Sequence, residues 1–179
     1  MTKLAIVGAT TWGTTLAIIN AREGRQSKIL VRSREESQVL NTRRENIRFL
    51  PDVKIPEEVI ATNCPTIAIA EADIIIFAVP SHSLRKNVKA VSKEVNPNSI
   101  VISAVKGLEV GSGKRMSEII SEELVHLDKG NICALSGPNL AMEIIGGKPS
   151  STVIASKNIE VCRKVQMLLN SKHLRIYTN

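Results

Sequence analysis

Four short stretches of this chain carry residue types that chemistry could use, and each directly follows an apolar run. They are Gly8-Ala-Thr-Thr-Trp-Gly13, Pro80-Ser-His82, Lys106-Gly107 and Ser136-Gly-Pro-Asn139. A glycine-bearing turn between a strand and a helix can receive phosphate, because the helix start offers unpaired N–H groups and the positive end of its dipole. In a dinucleotide fingerprint, three glycines serve the tight turn, the close approach of the pyrophosphate and helix packing. Gly8 and Gly13 fill the first and third places, whereas Thr10 occupies the second. A side chain there crowds a pyrophosphate unless it rotates away or donates its hydroxyl, so the loop alone is as consistent with a plain turn. Its place between a strand and a helix near the chain start is what points to a dinucleotide.

Roughly twenty residues further on, where NAD-binding proteins carry an acid for the ribose 2′-OH, the sequence reads Val31-Arg-Ser-Arg34. Arginine instead accommodates the 2′-phosphate of NADP, and Glu35 and Glu36 come only later. This favours NADP over NAD, the alternative being that Arg32 or Arg34 caps the next helix or stacks on an adenine. Lys106, at the end of an apolar strand, could hold a substrate oxygen or phosphate, or be a solvated loop lysine. Asn139 could contact a substrate or serve as an N-cap. His82 is read as a helix-capping residue, without chemistry.

These stretches need a scaffold that gathers them. Lys3–Val7, Lys28–Val31, Asp73–Val79, Ser99–Val105, Ile132–Leu135, Thr152–Ala155 and Leu174–Tyr177 read as strands. Helical patterns cover Trp12–Arg22, Glu35–Arg44, Leu84–Val95, Lys114–Leu124 and Asn158–Leu169. Alternating strands and helices predict an α/β fold: a Rossmann-type, doubly wound, mainly parallel sheet with helices on both faces. The continuous apolar run at 73–79 is that of a central strand covered on both sides. In such sheets ligands bind beyond the carboxyl ends of the strands, where all four polar stretches fall.

Composition narrows the function classes. A net charge of +7 suits an anionic partner, but aromatics are only 2% of residues, too few for the stacking platforms of single-strand nucleic-acid binders. No nucleic-acid partner is therefore expected. No apolar run approaches the roughly 20 residues of a bilayer crossing, and Met1-Thr-Lys3 leads straight into a strand, so neither membrane insertion nor a signal peptide is expected. Cys64, Cys133 and Cys162 are too scattered for a disulfide framework or a zinc site; buried, reduced thiols in a cytoplasmic protein are expected.

Taken together, the motifs resemble the bacterial-type NAD(P)-dependent glycerol-3-phosphate dehydrogenases. The resemblance rests on Gly8–Ala17, on Asn41–Asn46 continuing to Arg48-Phe-Leu-Pro51, and on Ala78-Val-Pro-Ser81 with Leu84-Arg85. Lys106-Gly-Leu-Glu109, Leu135-Ser-Gly-Pro-Asn139 and Arg175–Asn179 complete it, in family order along the whole chain. It implies an oxidoreductase that reduces dihydroxyacetone phosphate to sn-glycerol 3-phosphate, a phospholipid precursor, with NADP or NAD. Gly8, Thr10, Thr11, Trp12 and Gly13 would meet the cofactor, as would Arg32, Ser33, Phe49, Pro80, Lys106 and Ala141. Lys106, Gly137 and Asn139 would border the substrate, with Asn139 standing where the family generally has serine or threonine. Residues 1–179 then form a single NAD(P)-binding domain. The family's helical substrate domain, with its proton-donor lysine, would follow Asn179, so no catalytic residue is assigned here. The exposed side that would face it makes a homodimer conceivable. Competing readings are a dehydrogenase of the 6-phosphogluconate type, a non-catalytic dinucleotide-sensing module and a basic nucleic-acid-binding protein on a Rossmann scaffold, the last supported only by the charge.

Overall fold

The computed structural model describes residues 2–179. Its centre is an eight-stranded sheet whose parallel core comprises β1 (Leu4–Val7), β2 (Ser27–Leu30), β5 (Val59–Thr62), β6 (Ile74–Phe77), β7 (Ile100–Ser103) and β8 (Ile132–Ser136). Two further strands, β9 (Ser150–Ser156) and β10 (Leu174–Thr178), are parallel to each other but antiparallel to the rest. The spatial order is β10-β9-β8-β7-β6-β1-β2-β5. β1 leads outward to β2, and the chain later returns across it to β6, so the crevice between the ends of β1 and β6 is the switch point of the sheet.

The central strands β1, β6 and β7 are almost wholly apolar because both of their faces are buried and successive side chains alternate between them. Leu4 and Ile6 of β1, with Ile74 and Ile76 of β6, enter one core layer under α1 (Thr11–Arg22) and α7 (Ile159–Leu169). Ala5, Val7, Ile75 and Phe77 enter the opposite layer under α3 (Pro65–Ile69), α4 (Leu84–Val91) and α5 (Met116–Glu123). Burying each of the larger side chains contributes about 1.5–3 kcal/mol. Among the described residues, no helix is long and apolar enough to cross a membrane.

Among the elements without a counterpart in the sequence reading are β5, α3 and a hairpin of β3 (Glu45–Asn46) with β4 (Leu50–Lys54). Each is too short to establish a period. The outer edge of β5 is met by a side chain, since the Asn41 amide of α2 (Arg34–Arg43) donates to Ala61 O and its oxygen accepts the Ala61 N–H, both at 2.8 Å. A two-way bond of this kind occupies strand-edge groups that could otherwise pair with another chain. The reversal at β9 follows from a short connection. The loop after β8 and the five-residue α6 (Ala141–Ile145) do not recross the sheet, so β9 sets out from the edge at which β8 ended.

Candidate functional site

At the carboxyl end of β1 the chain turns through Gly8, whose φ of +107° disfavours any side chain. A Cβ there would also lie 2.7 Å from Val79 Cγ1. Gly13 serves packing: a Cβ on it would stand 2.1 Å from Gly8 O, so α1 can approach the loop this closely only with glycine. Thr10, by contrast, has ordinary extended angles (φ −74°, ψ 172°) that do not call for glycine. Its hydroxyl donates to Ala78 O at 2.7 Å and accepts the Gly13 N–H at 3.1 Å. The side chain thus caps α1 and ties the loop to the end of β6. The Thr11 and Trp12 N–H groups, in the first turn of α1, have no backbone partner within the helix.

The β3–β4 hairpin leans on this loop. Asn46, buried, donates to Ala9 O (2.9 Å) and to Thr14 Oγ1 (2.7 Å). The Thr11 hydroxyl donates to Phe49 O (2.8 Å), and the Arg48 guanidinium lies 4.9 Å from the centre of the Phe49 ring. Phe49 is thereby held over the mouth of the crevice. Sequence reading missed Asn46 as an anchor; a buried asparagine in a polar segment leaves no periodic signal.

Two clefts meet under Phe49. One, of about 450 Å³, is lined by Thr10, Thr11 and Trp12, by Pro80, by Lys106, and by Gly137, Asn139 and Ala141. The other, of about 460 Å³, runs from Gly8 and Thr10 past Val31 to Arg32 and Glu36, with His82 and Lys86 on its far wall. Thr10, Phe49, Val79 and Pro80 line both. Twelve of the thirteen residues singled out for cofactor or substrate are gathered here or next to it; Gly13 lies beneath as the packing glycine. Ser33 lines a neighbouring hollow shared by Arg32 and Glu36.

Several side chains do other work than the sequence suggested. Ser33, not Arg32 or Arg34, caps α2, accepting the Glu36 N–H at 3.2 Å. Asn139 is no N-cap, a place taken by Leu140 without a side-chain bond. Its amide instead donates to Ser150 Oγ (2.9 Å) and Ser151 O (2.8 Å), pinning the loop after β8 onto β9. His82 is exposed in a short 3-10 turn and caps nothing; Ser83, whose hydroxyl donates to Pro80 O (2.9 Å), precedes α4.

Lys106 is exposed at the cleft mouth, and its loop is anchored three residues on. Arg85 of α4 grips the Glu109 carboxylate with two bonds, at 2.7 and 2.8 Å, and reaches Glu122 (2.8 Å) and Glu123 (2.7 Å) of α5. Its guanidinium, helped by the Ser112 hydroxyl, holds the Glu109 carboxyl down at about 2. The three carboxylates in turn hold the Arg85 proton more firmly than usual.

The arrangement offers backbone N–H groups, a cationic corner at Arg32 and a lysine at the opposite end, with an aromatic ring between. An elongated anionic ligand fits such a crevice. Comparison with known proteins accords with this geometry. A family model for the N-terminus of NAD-dependent glycerol-3-phosphate dehydrogenase matches residues 3–162. A glycerol-3-phosphate dehydrogenase [NAD(P)+] of Dehalococcoides mccartyi (strain CBDB1) is 41% identical over the whole chain, which covers 50% of that protein. One from Thermobifida fusca is 39% identical, again over the whole chain and 53% of its own length. Among solved structures, the glycerol-3-phosphate dehydrogenase of Coxiella burnetii superposes with a TM-score of 0.91 at 25% identity, over 99% of this chain and 54% of that one. The chain thus spans about half the length of the curated relatives it matches. It belongs to the NAD-dependent glycerol-3-phosphate dehydrogenase family and corresponds to the N-terminal region of its members.

Proposed function

We propose that this chain is the NAD(P)-binding domain of a glycerol-3-phosphate dehydrogenase that interconverts dihydroxyacetone phosphate and sn-glycerol 3-phosphate. The observation that carries this reading is the meeting of two clefts beneath Phe49 at the switch point of the sheet, one ending at Arg32 and the other at Lys106. A dinucleotide needs phosphate donors at the centre and separate places for its two ends. The first-turn amides of Thr11 and Trp12 supply the centre, and the Thr10 hydroxyl is engaged by Ala78 O and Gly13 N.

The residues present fit the cofactor. Arg32 and Ser33 would hold the adenosine end and Phe49 would cover the middle. Thr11, Trp12, Pro80 and Ala141 would wall the other cleft, where Lys106, Gly137 and Asn139 would border the substrate. When bound, NAD(P)H supplies a hydride to the substrate's C2 carbonyl carbon. Charge then develops on the carbonyl oxygen, and a placed cation or acid lowers that cost. Lys106 can lend positive charge from a loop that Arg85 and Glu109 hold still. Asn139, its amide hydrogens engaged on β9, shapes the loop that borders the cleft.

The proton donor belongs, in this reading, to a second domain in the remaining half of the relatives' length. Residues 1–179 therefore bind nucleotide without useful turnover. A cytoplasmic setting agrees with three free cysteines, and self-association would use the face on which Val153 and Tyr177 are exposed. Calorimetric titration with NADH and NADPH at low salt is the test. Saturable one-to-one binding, weakened by Lys106→Ala with the fold unchanged, is expected; failure to bind either nucleotide would refute the reading.

A further inference from the structure

The corner at the end of β2 contains an acid that does not occupy the sequence position where a ribose acceptor is sought. Glu36 lies in the first turn of α2, and its side chain reaches back past the helix start. Its Oε2 accepts the Arg32 N–H at 3.1 Å and stands 3.6 Å from Arg32 Nε. The Arg32 side chain is 69% exposed and that of Glu36 only 24%, so the carboxylate lies in the corner and the guanidinium pairs with it from the solvent side. Both residues line the cleft that begins at Gly8, and both line the hollow between α2 and the hairpin. The Ser33 oxygen already accepts the capping N–H of Glu36. Arg34 lines neither space.

We propose, resting on the nucleotide-binding reading above, that Glu36 sets the balance between NADH and NADPH by engaging Arg32 and presenting its second oxygen, Oε1, to the ribose. A ribose 2′-OH needs an acceptor, which Oε1 can be. A 2′-phosphate needs donors, and the guanidinium that would supply them is held by Glu36. The phosphate also brings roughly −1.5 to −2 charges toward a carboxylate. At about 6 Å in water such a repulsion is worth several-fold in affinity, and it is screened by salt. The corner therefore admits both nucleotides, with Glu36 restraining NADPH. In this reading Glu36 tempers the preference for NADP expected from Arg32 and Arg34.

The test is Glu36→Gln, titrated with NADH and NADPH at low salt. Glutamine keeps the length and an acceptor for the Arg32 N–H and leaves the Ser33 cap in place, which a thermal melt checks. NADPH affinity should rise about fivefold or more relative to NADH, and added salt should shrink the difference. In an Arg32→Ala background the same substitution should give a smaller gain, because only the carboxylate's own repulsion of the phosphate is then relieved. A ratio unmoved by Glu36→Gln, while both nucleotides still bind, overturns the proposal and leaves the nucleotide reading standing. A gain undiminished without Arg32 overturns the pairing. If the unaltered chain binds neither nucleotide, the reading on which the proposal rests falls, and the proposal with it.

Discussion

Replacing Thr10 by glycine would restore the three-glycine fingerprint, and the structure says this should weaken the protein without improving its binding. The Thr10 hydroxyl makes two bonds, donating to Ala78 O at 2.7 Å and accepting from Gly13 N at 3.1 Å. Loss of the first costs about 1 kcal/mol, since Ala78 O then loses its hydroxyl donor in a part-buried place. Loss of the second removes a helix cap, which for replacement by glycine costs a few tenths of a kcal/mol and more in tight sites. Glycine adds about 0.5–1 kcal/mol of chain entropy at a position whose angles any residue adopts. Together these come to about 2 kcal/mol. For a chain of this size that lowers Tm by about 4–8 °C. Thermal unfolding followed by circular dichroism measures the loss, and Thr10→Ser, which keeps the hydroxyl, should recover most of it. Because the side chain is tied to β6, NADH affinity should stay within about twofold. A Thr10→Gly protein that melts as high as the original and binds NADH ten times more tightly would refute the reasoning. It would mean that the threonine does crowd the pyrophosphate.

Two further outcomes follow from the ionisable groups. The Glu109 carboxyl sits at about 2 rather than its ordinary 4.5, chiefly through Arg85. Its folded value is the lower one, so its contribution to stability is complete above the unfolded value and is lost as pH falls from about 4.5 toward 2. Glu109→Gln should therefore flatten the fall of Tm across that window, and an unchanged slope would count against the pairing with Arg85. Cys133 and Cys162 are buried, and burial pushes the Cys133 thiol up to about 12 and raises that of Cys162 as well. Iodoacetamide at pH 8, read by peptide mass spectrometry, should label half-buried Cys64 first and the other two only on unfolding. Early modification of Cys133 would show that the layer between β8 and α7 opens locally.

Much of this molecule is determined by sequence alone, because its signals are local. The apolar run at Asp73–Val79 can be satisfied only by a strand covered on both faces. The strand, glycine loop and helix at residues 4–22 can be read from adjacent residues, and alternation with helices then places the polar stretches on one sheet edge. Twelve of the thirteen singled-out residues reached the clefts or the adjoining hollow because a parallel sheet puts every strand's carboxyl end on the same side. What only the tertiary structure decided are side-chain bonds between residues far apart in the chain. Thr10 finds Ala78, Asn46 finds Ala9 and Thr14, Asn41 finds Ala61, and Asn139 finds β9. None of these partners is implied by periodicity or propensity, since each exists only once the sheet has brought two loops together. Glu36 shows the limit at short range as well. Its distance from Arg32 along a helix start was legible, but the direction of its carboxylate was not. That direction depends on Ser33 taking the cap and on the cleft leaving room for the side chain to turn back.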